Sequence, residues 1–324
     1  MIQIFKDENE LQNKVFSFFD NYKLKTFSIG FINRNKDTEI KQKQTDLVKE
    51  VEQKYNLKID YGDPDGYIAI DPEINKIELN IKSVFIAGRY NKYSRELPQT
   101  YYFCYKCKGR GCSFCNRTGK LSNISIEEIL GPYFSSFCNG KEIKFHGAGR
   151  EDMDVKMLGR GRPFVIQIVE PQKRFFLKEE LKKLKEEINL KETKVKVHYL
   201  KIINKKEMGK ITSEQHKKEY SALVSCEKEI TQKELDNLVG DYNVLQRTPE
   251  RVSKRRVDLD RAKTATIKVP KMLTKNEFKV RIESSAGLYI KEFISGDGER
   301  TKPSVSDLLK KKCTCKELDV LRII

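Results

Sequence analysis

The chain has no apolar run that approaches the length of a membrane-spanning helix. Such a helix needs about 20 consecutive apolar residues, whereas charged side chains make up 34% of these 324 residues and interrupt every apolar stretch earlier. The first ten residues, MIQIFKDENE, also lack the pattern of a secretory signal. We therefore expect a cytoplasmic protein that does not associate with membranes.

Acidic residues are too few to balance the basic ones. Asp and Glu number 47 against 64 Lys and Arg, which gives a formal net charge of +17. An excess of this size predicts a polyanionic partner, with nucleic acid as the default; the alternative is a basic protein without such a partner. The length of 324 residues allows a substantial buried core and predicts two domains.

Cysteine is absent before residue 104, and the eight cysteines do not spread as a disulfide framework would. Four of them form two Cys-x-x-Cys pairs, a pattern typical of tetrahedral zinc, and these are Cys104, Cys107, Cys112 and Cys115. Iron, a redox pair, two disulfides and free thiols are the alternatives. The others lack a partner pattern and are expected to be buried without a function: Cys138, Cys226, Cys313 and Cys315.

Two nucleotide-binding patterns are also missing, namely the P-loop and the Gly-rich strand–turn–helix of dinucleotide-binding folds. What is present is a charged loop at 145–164, FHGAGREDMDVKMLGRGRPF, which contains four glycines and leads into apolar residues. Glycine permits tight turns and close approach of a backbone to a ligand. The pattern therefore predicts a site loop that feeds a core strand, with a solvated surface loop as the alternative.

Hydrophobic periodicity predicts helices and strands on both sides of this loop. Residues 1–90 are predicted to form a small α/β unit, with helices around 15–19 and 45–55 and strands at 27–32 and 77–81. Ser125-x-x-Glu128 and Ser304-x-x-Asp307 are capping patterns that predict two further helices. A helical stripe, an apolar stretch and two alternating stretches complete the prediction: Leu177, Leu181, Leu184 and Ile188 for the helix, and 164–169, 195–199 and 278–282 for strands.

Several longer strings resemble one family of enzymes. Gly149-Arg150-Glu151-Asp152 matches the Gly-Arg-x-Asp motif of pseudouridine synthases, and the whole loop is similar to that of the tRNA pseudouridine synthases called Pus ten. The similarity continues in GRYNKYSRELPQT (88–100), KKEYSAL (217–223), QRTPERVSKRR (246–256), GLYIKEFISGDGERTKPSVSDLL (287–309) and LDV (318–320). Because these strings are long, ordered and spread over most of residues 88–324, the chain is identified as a member of that family.

The resemblance implies an α+β fold with a mixed, largely antiparallel catalytic sheet, helices on one side and an RNA cleft on the other. We expect a shortened THUMP-like RNA-binding domain at 1–95, a four-cysteine zinc knuckle at 96–122 and the catalytic domain at 123–324. The zinc would be structural, with a basic, RNA-facing rim. Relatives carry metal-binding cysteine pairs near the amino terminus, and this chain lacks them.

The resemblance also implies a reaction and its residues. The chain would convert uridine to pseudouridine in the TΨC arm of tRNA, at uridines 54 and 55, after flipping the target base out of its stack. Asp152 would be the nucleophile, Tyr220 would stack on the base, and Lys291 would keep Asp152 ionised. The expected RNA-binding residues are Arg150, Tyr220, Arg247, Arg251, Arg255, Arg256 and Leu318. Whether Asp152 attacks the sugar, attacks the ring or supports a glycal route is open.

Further expectations follow from the same resemblance. No organic cofactor is needed, because the isomerisation is redox neutral, and the protein is expected to be a monomer. An RNA-binding module with an inactive site is one alternative, although Asp152, Tyr220 and Lys291 all stand at motif positions. A methylase or thiolase with a THUMP-like domain is another, and the missing nucleotide-binding patterns argue against it. Leu288 stands where the family has Thr.

Overall fold

The structure is a computed structural model that describes residues 8–122, 124–253 and 256–324. It contains a four-stranded sheet with two helices and a ten-stranded sheet with further helices, which confirms the predicted α+β class. No helix within these described ranges is both long enough and apolar enough to cross a membrane. One expected RNA-binding residue, Arg255, lies outside the described residues.

Residues 8–81 form the small sheet and its helices. The elements are α1 (Glu8–Asn21), β1 (Thr26–Phe31), α2 (Thr38–Tyr55), β2 (Lys58–Ile59), β3 (Gly66–Asp71) and β4 (Lys76–Ile81). The strand order is β2-β1-β3-β4; β1 runs parallel to β2 and β3, whereas β4 is antiparallel to β3. Val15, Phe19 and Phe27 are buried in its core, which agrees with the predicted first helix and strand.

The rest of the chain builds the large sheet. Its elements are β5 (Val84–Lys92), α3 (Ile126–Cys138), β6 (Glu142–Gly147), β7 (Lys156–Val169), α4 (Lys178–Lys191), β8 (Val195–Ile203), α5 (Lys205–Ser213), β9 (Lys218–Cys226), α6 (Gln232–Asp236), β10 (Gly240–Arg247), α7 (Glu250–Ser253), β11 (Asp260–Met272), β12 (Glu277–Ser284), α8 (Ile290–Ser295), β13 (Thr301–Lys302), α9 (Val305–Leu309) and β14 (Cys313–Ile323). Nine strands follow the order β13-β10-β11-β12-β9-β14-β7-β5-β8, and β6 pairs with β7. Only β7 and β14 pair in parallel among its described strands, so the predicted mixed, largely antiparallel sheet is confirmed.

The long strand β7 brings the charged loop into the middle of this sheet. Residues 145–163 were expected to be a loop, but β6 and β7 are paired strands and only 148–155 lie between them. Gly159 and Gly161 adopt positive φ values of 59° and 73° within β7. A Cβ at Gly161 would lie 2.6 Å from the Tyr90 carbonyl oxygen, so glycine is required there. Asp152 consequently sits in a short turn fixed at both ends by sheet pairing.

The predicted helices are present, and one residue that was predicted to lie on a buried helix face is exposed. The Ser125 and Ser304 hydroxyls accept hydrogen bonds from the backbone N–H groups of Glu128 and Asp307, which confirms both predicted caps. In α4 the apolar stripe is buried at Leu181, Leu184 and Ile188. Leu177 precedes the helix and its side chain is 68% exposed, because it occupies the N-cap position rather than the buried face.

Two features of the strands, the exposure of Tyr199 and the contact between Cys226 and Cys313, differ from what the sequence pattern predicted. Tyr199 was expected to share a face with Val195 and Val197, but a register shift between β5 and β8 gives it a φ of 55° and leaves it exposed. Cys226 and Cys313 were expected to have no partner. They face each other across β9 and β14 with their Sγ atoms 2.9 Å apart, because the strand register aligns positions that are 87 residues apart in the chain.

The two sheets meet at a buried arginine. Arg174 donates hydrogen bonds to the carbonyl oxygens of Asp65 and Lys82 and lies 3.2 Å from the Asp65 carboxylate. Strand β5 is hydrogen-bonded within the large sheet, between β7 and β8. The division of the chain at residues 95 and 122 stays a prediction, and β5 precedes the first of these boundaries.

Candidate active site

A buried ion pair holds the turn that carries Asp152. Arg162 Nε lies 2.6 Å from Glu151 Oε2, and both side chains are almost completely buried. The same guanidinium donates to the Ala148 carbonyl oxygen at 2.8 Å, and the Tyr90 hydroxyl donates to Glu151 Oε1 at 2.8 Å. Burial and then the Glu151 charge raise the pKa of Tyr90, so its phenol stays protonated and can donate. These bonds compensate both buried charges and fix one arrangement of the turn.

Lys92 and Gln99 anchor the backbone on both sides of Asp152. The fully buried Lys92 ammonium donates to three carbonyl oxygens, those of Leu97 at 2.8 Å, Asp152 at 3.1 Å and Met153 at 2.8 Å. Gln99 Nε2 donates to the Gly149 carbonyl oxygen at 3.0 Å. Burial lowers the pKa of Lys92 to about 8. The position of the Asp152 backbone is therefore set by residues of β5 and the segment that follows it.

The Asp152 carboxylate is partly exposed and lies between two cations. Arg251 donates from both terminal nitrogens, at 3.1 Å to Oδ1 and 3.0 Å to Oδ2. Lys291 Nζ lies 3.7 Å from Oδ2. Arg251 Nε also lies 2.5 Å from Glu292 Oε1. Lys291, the partner named by family resemblance, is thus the more distant cation, and Arg251, named for RNA binding, contacts the carboxylate directly.

Asp154 is the closer partner of Lys291. Lys291 Nζ lies 2.7 Å from both carboxylate oxygens of Asp154. Burial raises the pKa of Asp154, but the hydrogen bond and positive charge of Lys291 outweigh that effect and the pKa is lowered. Lys291 therefore bridges the two aspartates. The role of Lys291 toward Asp152 stays a prediction.

One cavity collects six of the residues predicted from sequence. It has a volume of about 100 Å³ and is lined by Arg150, Asp152, Tyr220, Arg251, Lys291 and Leu318. Tyr220 in β9 and Leu318 in β14 are brought together because these strands pair. Burial raises the pKa of Tyr220 to about 12, so the ring is a neutral phenol. Leu288 also lines the cavity, which adds an apolar wall where the family has Thr.

The remaining predicted RNA-binding arginines lie around this cavity or away from it. Arg256 lines two adjoining clefts of about 430 Å³ and 370 Å³, which share Arg150 and Tyr289 with the cavity. Arg150 stacks its guanidinium 4.7 Å from the centre of the Tyr102 ring. Arg247 instead pairs with Asp258 at 2.7 Å. The structure therefore places Arg150, Arg251 and Arg256 at the site, whereas Arg247 is paired with Asp258 and does not line the cavity or the two clefts.

The four cysteines of the predicted knuckle converge on one point. Their Sγ atoms all lie within 4.8 Å of one another, and three of the separations are 3.7, 3.8 and 3.9 Å. A tetrahedron with metal–sulfur bonds of about 2.3 Å has edges of about 3.8 Å, so the spacing fits a tetrahedral ion. Backbone N–H groups of Gly111 and Gly119 point at Cys107 and Cys115 sulfurs at 3.2 Å, which suits thiolates. The cluster could therefore hold a metal ion.

Several site residues were not predicted individually. Tyr90 and Lys92 fall within the family-like string 88–100, and Glu151 and Arg162 fall within the charged loop, but no role followed from their positions. The available signal was a charge close to an apolar run, since Arg162 lies two residues before the buried segment 164–166 of β7. Glu292 falls within the family-like string 287–309, but no role followed from its position either; its Oε2 atom is buried and has no hydrogen-bond partner among the described residues.

Comparisons with known proteins identify the family of the chain. A family model described as "Pus10, C-terminal" matches residues 85–323. The chain is 44% identical over 264 residues to a tRNA pseudouridine synthase Pus10 of Methanocaldococcus jannaschii. The aligned region covers 80% of this chain and 57% of the relative. It is 36% identical to the protein of the same name from Methanococcus voltae, covering 97% of the chain and 65% of the relative.

A third relative matches over nearly its whole length. The tRNA pseudouridine synthase Pus10 of Archaeoglobus fulgidus is 34% identical, with 97% of this chain and 91% of the relative covered. The chain thus spans about three fifths of the length of the first two relatives and nearly all of this one.

Among solved structures, one chain of a Cbf5-Nop10-Gar1 complex is similar, with a TM-score of 0.35 and 16% sequence identity. The match covers 61% of this chain and 44% of that chain. This likeness is too weak to carry an inference.

Proposed function

The chain belongs to the Pus10 family, and from that premise we propose that it isomerises uridine to pseudouridine in tRNA. The observation that carries the proposal is the cavity in which Asp152 lies between Arg251 and Lys291, beside the Tyr220 ring and Leu318. A carboxylate nucleophile, a buried aromatic ring and an apolar floor are what a flipped-out base requires. The printed names of the relatives support the same activity.

The chemistry needs an ionised carboxylate and no oxidant. The isomerisation breaks the bond between uracil N1 and ribose C1′ and forms a bond between C5 and C1′, while C5 loses a proton and N1 gains one. Asp152 serves as the nucleophile that detaches and reattaches the base. Arg251, at 3.0–3.1 Å, and Lys291, at 3.7 Å, place two positive charges beside its carboxylate. Because electrons balance within the substrate, no organic cofactor takes part.

The protein must expose the target uridine before this chemistry begins. Flipping a stacked base costs a few kcal/mol, and contacts between basic side chains and phosphates offset that cost. Arg150 and Arg256 line the clefts beside the cavity and are placed to make such contacts. Tyr220 then stacks on the flipped base. We assign the target to uridines 54 and 55 of the TΨC arm, as the family resemblance implies.

The other parts of the chain have supporting roles in this proposal. The small sheet of residues 8–81 acts as an RNA clamp, and the enzyme works as a cytoplasmic monomer on tRNA. The four-cysteine cluster holds a structural zinc ion, since four thiolates at this spacing suit zinc. Metal binding supplies folding energy to a segment that buries little apart from its cysteines.

Substituting two neighbouring acids tests the assignment. Asp152→Asn keeps the size of the side chain and removes the nucleophile, so the variant should bind unmodified tRNA transcript with near-normal affinity and form no pseudouridine. Asp154→Asn is the matched control, because it makes the same change two residues away beside the same Lys291. It should retain measurable turnover. Chemical mapping of pseudouridine and a filter-binding assay give the two readouts.

Two outcomes would redirect the proposal. If Asp154→Asn is folded but inactive while Asp152→Asn is active, the nucleophile is Asp154 and the motif alignment is displaced by two residues. If the unsubstituted chain binds tRNA tightly and modifies no uridine, the chain is an RNA-binding module, which is the runner-up function that its net charge of +17 also supports.

A further inference from the structure

The surface of the four-cysteine knuckle has an unusual composition. Residues 101–126 contain no Asp and no Glu, whereas the stretch 101–120 carries five basic and five aromatic side chains, namely Lys106, Lys108, Arg110, Arg117 and Lys120 with Tyr101, Tyr102, Phe103, Tyr105 and Phe114. A structural metal site needs only its ligands and a few glycines. The cationic and aromatic side chains therefore call for a separate explanation.

The aromatic rings of the knuckle point outward. Tyr105 is 67% exposed, Phe103 61% and Phe114 47%. Tyr105 meets Phe114 edge-on at a centroid distance of 5.4 Å, and Phe103 meets Tyr101 edge-on at 4.7 Å. An edge-on contact covers at most one face of either ring and leaves the opposite face free of that contact. The knuckle thus presents ring faces to solvent with positive charge close by, as Lys106 Nζ lies 3.9 Å from the centre of the Phe114 ring.

This surface is joined to the turn that carries Asp152. Arg150 donates to the Thr100 carbonyl oxygen at 3.4 Å and stacks on Tyr102. Gln99, which precedes the basic and aromatic stretch 101–120, donates to the Gly149 carbonyl oxygen at 3.0 Å. A cleft lined by Tyr102, Arg150, Asp152 and Arg251 runs from this junction to the site. An RNA that reaches Asp152 therefore passes close to the knuckle.

We propose that the exposed rings of the knuckle, chiefly Tyr105 and Phe103, stack on unpaired bases of the RNA substrate. Exposed aromatic rings among cations, in a stretch of sequence that contains no Asp or Glu, suit the binding of single-stranded nucleic acid, because each base offers a π-face and each phosphate a negative charge. A base-paired helix hides those faces. This inference rests on the proposed function and adds that the enzyme recognises unpaired bases outside the catalytic cavity.

The chain contains no tryptophan, which allows a direct test. Tyr105→Trp places a single fluorophore on the knuckle at a position that is already aromatic and exposed. In the Asp152→Asn background, where binding proceeds without turnover, its emission should be quenched by a TΨC-arm stem-loop. A blunt RNA duplex of matched composition should quench it little. The matched control is Tyr199→Trp, since Tyr199 is 70% exposed on the edge strand β8 and should report no quenching.

Affinity gives an independent readout. Phe103→Leu and Tyr105→Leu leave an apolar side chain and remove the ring, and each should weaken stem-loop binding by roughly 5- to 150-fold, the range for loss of one stacked base. Tyr199→Leu should leave affinity unchanged. Metal content is measured on every variant, so that a collapsed knuckle is recognised; only variants that retain their metal are compared.

The outcomes separate this inference from the proposed function. Normal turnover without stem-loop quenching, or equal quenching by stem-loop and duplex, would overturn the stacking surface and leave the enzyme assignment intact. Selective quenching by the stem-loop in a chain that forms no pseudouridine would support the stacking surface and overturn the assignment.

Discussion

The buried ion pair beneath the catalytic turn gives the sharpest stability prediction. Glu151→Gln removes one charge and leaves the Arg162 guanidinium buried without its counter-charge. Removing one partner of a buried pair costs about 3–5 kcal/mol, because the remaining charge stays desolvated. The Tyr90 hydroxyl keeps an acceptor in the amide oxygen, so the loss is mainly electrostatic. We expect the free energy of unfolding, from urea titration followed by circular dichroism, to fall by about that amount.

An exposed pair of the same length supplies the control. Lys191 Nζ and Glu187 Oε1 are also 2.6 Å apart, but their side chains are 57% and 50% exposed. Glu187→Gln should change the free energy of unfolding by less than about 0.5 kcal/mol. Glu151→Gln should also lower turnover, because the Asp152 turn loses its fixed arrangement. Equal, small effects of the two substitutions would refute the view that burial of this pair fixes the turn.

The remaining predictions concern the knuckle and Lys92. Cys107→Ser should lose the bound metal and leave most of the large sheet folded. Metal analysis and circular dichroism measure these two effects. Wild-type protein that is purified without chelator and contains neither zinc nor iron would refute the metal site. The pKa of Lys92 falls from 10.5 to about 8 on burial, so between these values the unfolded chain binds more protons and Lys92 makes stability rise with pH. Turnover should fall as pH passes about 8, because a neutral amine has two N–H groups for three carbonyl oxygens. Lys92→Met should lose this stability slope in urea titrations from pH 7 to pH 10, and an unchanged slope would assign it to another group.

Local sequence patterns were sufficient for much of the fold. The apolar alternation in β12 and the serine caps of α3 and α9 were predictable because each depends on neighbours within a few residues. The loop expected at 145–163 became β6 and β7 because β7 pairs with β5, β14 and β6, and this pairing stabilises a strand that the glycines and arginines of β7 disfavour locally. Tyr199 became exposed through a register shift, which local alternation cannot reveal.

The candidate site likewise contains residues that the sequence predicted and residues that only the tertiary fold brings together. Motif strings identified Asp152, Tyr220 and Leu318, and the structure brings all three to one cavity. They did not identify Arg251 as the bidentate partner of Asp152, because the two residues are 99 positions apart and meet only through the tertiary fold. The buried hydrogen bonds of Lys92 to backbone carbonyls leave no trace in sequence, since any carbonyl can accept them.

The most direct test of the central claim is to incubate the purified chain with unmodified tRNA transcript and map pseudouridine chemically at single-nucleotide resolution. We expect pseudouridine in the TΨC arm, at uridines 54 and 55, with wild-type protein and none with Asp152→Asn protein that binds the same tRNA. Tight binding of the transcript without pseudouridine at any position would contradict the central claim.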